Sequence, residues 1–130
     1  MQGIYVLIIE VSKSVRVYVG ALGCVYFEAS LYAYVGSAQN SLEKRIERHI
    51  KKAKCKFWHV GYLLDSVGVK VLKVFYREAG KAEECLIAKN LGAKGTPMVG
   101  FGSSDCKCES HLFKIEDSSF LEESMRELRV

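Results

Sequence analysis

Five polar side chains stand at positions that local pattern points inward: Tyr5, Tyr34, Arg45, His49 and Glu84. A solvated helix face has no need of an arginine and a histidine on its packing side, whereas a site for an anionic substrate does. Leu42, Ile46, Ile50 and Ala53 recur at i, i+4, i+8 and i+11, and Arg45 and His49 lie on that stripe or its edge. Lys44, Arg48, Lys51 and Lys52 point elsewhere and form an outer basic flank. Residues 43–56 carry seven basic and two acidic side chains, a net +5, while the whole chain carries +4. A basic stripe on one helix gives salt-dependent, sequence-independent affinity for a phosphate backbone through counterion release. The plainer account is a solvated helix with a lysine bias. Singly, Tyr5 and Tyr34 read as core tyrosines with satisfied hydroxyls, His49 as a hydrogen-bonded core histidine, and Glu84 as an ion-pair partner near a helix end.

The elements that must position these residues follow from periodicity. Residues 3–11, GIYVLIIEV, are β-branched and aromatic and predict a central strand covered on both faces, with Tyr5, Leu7 and Ile9 on one of them. Ser12-Lys13-Ser14 reads as a hairpin turn into VRVYV, and CVYFE follows the breaks at Gly20 and Gly23. The strand at 31–37 puts Tyr32, Tyr34 and Gly36 on a common face and feeds a helix over 41–54, with Asn40 as its cap and Glu43 as the capping-box partner. The first third is expected to be an antiparallel meander. KCKFWHVGYLLD predicts a tight turn or a single helical turn, and VGVKVLKVFY predicts a further strand. A helix over 79–92 carries Glu84, Ile87, Ala88 and Leu91 on one stripe, leaves Glu83 with polar Asn90, and takes Gly92 as its C-cap. HLFKIE predicts an edge strand, and residues 118–128 predict a terminal helix. The expected class is α+β, a mostly antiparallel central sheet flanked by helices.

With 130 residues, 49% hydrophobic and 26% charged, the chain predicts one ordered domain spanning 1–130, with its core at about 3–92 and a loop-strand-helix extension at 93–130. No apolar run approaches the roughly 20 residues needed to span a bilayer. Five irregularly spaced cysteines without a leader pattern predict reduced thiols and a cytoplasmic protein. Cys106-x-Cys108-x-x-His111 has ligand types that suit zinc, with Cys85 or Cys55 able to complete four. Its spacing departs from the ribbon pattern, and packed thiols are the simpler account.

Gly3-Ile4-Tyr5, then Tyr34-Val35-Gly36, then LEKRIERH and a downstream helical glutamate resemble the GIY-YIG nuclease superfamily over residues 3–92. GFGSSDCKCESHLF at 100–113 and the WH-x-x-YLL pattern at 58–64 resemble one uncharacterised branch, whose members stand alone or are attached to DNA-repair enzymes. The resemblance implies a metal-dependent endonuclease that cuts DNA in preference to RNA. Tyr5 and Tyr34 match the two motif tyrosines, one of which helps deprotonate the attacking water, and Arg45 matches the arginine that holds the scissile phosphate. His49 matches a histidine of some members, and Glu84 matches the carboxylate that binds a single Mg²⁺ or Mn²⁺. Such chemistry needs neutralised phosphoryl oxygens and an activated water. Arginine offers phosphate a bidentate fork. One carboxylate with several waters suits Mg²⁺. A phenol of pKa ~10 needs nearby cations to act as a base near neutrality, a role open to Arg45 and the metal.

The sequence departs from the family pattern in carrying YVG for YIG, a longer Tyr34-to-Arg45 gap, and no asparagine at the usual place after Glu84. Asn90 falls on the polar side of its helix; Ser103, Ser104 or Asp105 are the substitutes available. The alternative is therefore a non-catalytic nucleic-acid-binding module of the same fold. Expected partners are DNA and DNA-repair proteins, with no membrane.

Overall fold

The computed structural model describes residues 3–38, 44, 59–101 and 108–129. In chain order its elements are β1 (Gly3–Val11), β2 (Val15–Tyr18), β3 (Cys24–Phe27), β4 (Ser30–Ala38), α1 (His59–Leu64), β5 (Val69–Arg77), α2 (Ala82–Lys94), β6 (Thr96–Pro97), β7 (Leu112–Ile115) and β8 (Arg126–Arg129). Six strands form one sheet in the spatial order β6-β7-β4-β1-β5-β8, and β2 pairs with β3 separately. Every pairing is antiparallel, which makes the fold α+β. Among the described residues no helix is long and apolar enough to cross a membrane.

β1 is central because its β-branched and aromatic run can bury side chains on both faces at once. Tyr5, Leu7 and Ile9 join Tyr32, Tyr34, Val74 and Leu112 on one face, covered by α1 through Val60, Leu63 and Leu64 and by Phe27 of β3. Ile4, Val6 and Ile8 join Ala33, Val35, Phe75 and Phe113 on the other face, covered by Ile87, Ala88 and Leu91 of α2. Each large apolar side chain removed from water in this way contributes about 1.5–3 kcal/mol.

Four expectations about the elements are corrected. The first strands do not form a meander. β1 pairs directly with β4, and the β2–β3 hairpin forms a small sheet of its own. The strand HLFKIE is not an edge strand, since two-residue β6 lies outside β7. α2 does not stop at Gly92 but runs on to Lys94. Gly92, inside the helix, faces the ring of Phe113, and Gly95 caps the helix through N–H donation to the Leu91 carbonyl. Residues 118–128 hold only a 3₁₀ turn at Ser119–Leu121, and Arg126–Arg129 pairs with β5 as the far edge strand. Exposed Arg126 and Glu127 put charge on this edge strand, which discourages edge-to-edge association.

Candidate functional site

The two motif tripeptides meet across the β1–β4 ladder, where Tyr5 stands opposite Gly36 and Leu7 opposite Tyr34. The ring of Tyr5 lies over Gly36, so a Cβ there would overlap its hydroxyl and ring. Glycine at position 36 is thus a steric requirement imposed by the tyrosine across the ladder. The rings of Tyr5 and Tyr34 are 6.5 Å apart at 47°, and Phe101 stands edge-on to Tyr34 at 6.3 Å. Both tyrosines are buried, at 1% and 5% exposure. Tyr76 of β5 pairs with Tyr5 from the other side and packs on the same face, a third phenol that the sequence pattern did not single out. Tyr32, two residues before Tyr34, is a structural phenol. Its hydroxyl donates to the Glu28 carbonyl at 2.8 Å, and burial, followed by the Glu28 charge, pushes its pKa up to about 12.

Lys44 is helical and exposed. Arg45, Arg48, His49, Lys51 and Lys52 lie outside the described residues.

Glu84 is buried, as its helical stripe predicts, but α2 covers the aliphatic face of the sheet. Tyr5 and Tyr34 therefore lie on one side of the sheet and Glu84 on the other. Its Oε1 is 3.8 Å from Nδ1 of buried His111. Glu83, the neighbouring acid, is half exposed and reaches Nη2 of Arg77 at 3.5 Å from the end of β5. Beside Glu84 stand half-buried Cys85 and Cys108. Their sulfurs and a ring nitrogen of His111 lie within 4.8 Å of one another, so the three residues form a group able to hold a metal ion. His111 is set by its backbone, which accepts from Val35 N–H at 2.9 Å and donates to the Phe101 carbonyl at 2.8 Å. Cys106, the other thiol of the sequence motif, lies outside the described residues.

A family model for a domain of unknown function, DUF123, matches residues 4–129. The chain belongs to DUF123. No curated protein and no solved structure matches it. The match extends past the two-thirds of the chain that carries the tripeptides. It takes in β7 and β8, and so both groups in the DUF123 fold: the paired tyrosines and the thiol–imidazole cluster.

Proposed function

We propose that the chain acts on nucleic acid at the Tyr5–Tyr34 face as a GIY-YIG-type endonuclease, with DNA preferred to RNA. The observation that carries this is the register, which sets Tyr5 against Gly36 and beside Tyr34. Two phenols on adjacent central strands, with a glycine clearing room for one of them, make a pair whose spacing is held by sheet geometry. The basic stretch 43–56 directly follows β4 and supplies phosphate affinity by charge. An exposed free thiol, Cys24, fits a reducing, cytoplasmic setting.

The single Mg²⁺ or Mn²⁺ ion expected of such an enzyme does not fit at Glu84. Magnesium takes hard oxygen donors and keeps several waters, whereas Glu84 is buried beside an imidazole and two thiols. This position also favours a second reading, a nucleic-acid-binding module that does not cut.

Labelled single-stranded, duplex and branched DNA and RNA, incubated with Mg²⁺ or Mn²⁺, separate the two. The endonuclease predicts a cleavage product that Tyr34→Phe reduces by about 10²–10⁴-fold, the range for a positioned acid or base. Cleavage unchanged by Tyr34→Phe and Tyr5→Phe sinks the proposal. No product from any substrate, together with salt-sensitive binding that weakens when Lys51 and Lys52 lose their charge, establishes the module instead.

A further inference from the structure

The donor set that rejects magnesium at Glu84 is the one that a thiophilic, borderline-soft metal selects. We infer that Cys85, Cys108 and His111 bind one zinc ion, with Glu84 as the positioning carboxylate of His111. The inference is independent of the endonuclease reading, since the cluster and the tyrosines lie on opposite faces of the sheet.

The three donors already stand close together. Zinc takes thiolate sulfur at about 2.3 Å and imidazole nitrogen at about 2.0–2.1 Å, so tetrahedral ligand atoms sit roughly 3.4–3.8 Å from one another. The three donor atoms lie within 4.8 Å of one another, about an ångström wider than that spacing. Their backbones belong to different parts of the fold: Cys85 to the first turn of α2, Cys108 to the segment before β7, and His111 to the residue that enters it. Bringing two thiols and an imidazole together from separate segments is what a metal site requires of a fold.

Glu84 is the second observation. A carboxylate with its side chain only 10% exposed is costly without a compensating positive charge or hydrogen bonds. Among the described residues its charge neighbour is His111, at 3.8 Å. Glu84 lies outside the three-donor set, so it is not placed as a fourth ligand. It is the carboxylate beside the imidazole, 3.8 Å away, and zinc sites use such a neighbour to fix a ligating imidazole's tautomer and plane. Nδ1–H is then directed to Glu84, and Nε2 is left for the metal. Zinc binding releases the two thiol protons to solvent and changes no oxidation state. The bound Zn²⁺, two thiolates and neutral imidazole sum to zero charge, with Glu84 held alongside. The ion would tie the first turn of α2 to the chain that enters β7.

The full chain, kept reduced and stripped with a chelator, is titrated with Co²⁺ and then with Zn²⁺. One Co²⁺ per chain is expected, with thiolate-to-cobalt charge-transfer absorption and tetrahedral d–d bands that Zn²⁺ abolishes and Mg²⁺ leaves unchanged. Cys85→Ser and Cys108→Ser each lose the bands, and Cys24→Ser keeps them. Glu84→Gln keeps the spectrum and binds about 10–100-fold more weakly, the usual effect of losing such a partner. The wild-type spectrum decides the matter even if a cysteine variant misfolds, because absence of thiolate bands overturns the site. Bands that survive the Cys85→Ser/Cys108→Ser double change, or affinity unaltered in Glu84→Gln, overturn the assigned residues.

Discussion

Aromatic rings gather on one face of β1 and β4, and the buried side chains of these two strands on the other are all aliphatic. On the first face Tyr5, Tyr32, Tyr34, Phe27 and Phe101 meet edge to face or tilted, and their close approach is allowed where a side chain is missing, at Gly36. On the second, Ile4, Val6, Ile8, Ala33 and Val35 take the stripe of α2, and the polar atoms gather where Glu84 meets Cys85, Cys108 and His111. The two faces also use glycine against different obstacles. At Gly36 the obstacle is a side chain, Tyr5. At Gly95, with φ −139° in ordinary extended backbone, it is chiefly the Lys114 carbonyl of β7. The first face can be remodelled by trimming side chains, and the second is held by backbone.

The largest effects test the first half of that contrast. Tyr5→Ala should cost about 3–5 kcal/mol, the range for emptying a buried aromatic site. Gly36→Ala should cost about 1–3 kcal/mol by overpacking against Tyr5. In the Tyr5→Ala background the Gly36→Ala penalty should vanish, a coupling read from urea midpoints in a double-mutant cycle. Additive costs would show that Tyr5 is not what excludes a side chain at position 36.

Gly95→Ala tests the other half. It should also cost about 1–3 kcal/mol, because a Cβ would run into the Lys114 carbonyl. The second neighbour is the Ile115 methyl, 2.9 Å from that Cβ. If backbone is the obstacle, Ile115→Ala recovers little of the Gly95→Ala loss. Full recovery would make the two glycines alike and erase the distinction between the faces.

The division between faces also marks where sequence pattern stops being informative. Alternation along β1 and β4 correctly puts Tyr5 with Leu7 and Ile9, and Tyr32 with Tyr34, because a strand's side chains can go only two ways. The α2 stripe correctly puts Glu84 inward with Ile87, Ala88 and Leu91. Helical periodicity names the side of a helix that is buried, and says nothing about which side of the sheet the helix covers. Five inward polar residues were thus expected to converge, and among those described Glu84 is separated from the tyrosines by the sheet. The cluster around His111 is legible in part: residue type marks Cys85, Cys108 and His111 as candidate ligands, but their spacing departs from the ribbon pattern, and it is the fold that brings Cys85 of α2 beside the other two. β8 escapes the sequence pattern because Arg126 and Glu127 suit a solvated helix as well as a protected edge strand.

The smallest expected effect at neutral pH belongs to Tyr32, which shares the aromatic face but is tied to backbone like a residue of the other. Its hydroxyl donates to the Glu28 carbonyl, so Tyr32→Phe should cost about 1 kcal/mol near neutrality. The pH dependence is more diagnostic than that cost. Burial, with the Glu28 charge second, raises this phenol from 10.0 to about 12 in the native state. Below pH 10 the phenol is protonated in both states and the native advantage is intact. Between pH 10 and 12 the unfolded chain has released the proton while the native chain still holds it, so stability falls as pH rises. Urea midpoints across that window should therefore drop more steeply for the wild type than for Tyr32→Phe, the remaining tyrosines being common to both. Equal slopes would mean that Tyr32 titrates as an ordinary phenol, and that the aromatic face admits water at this position.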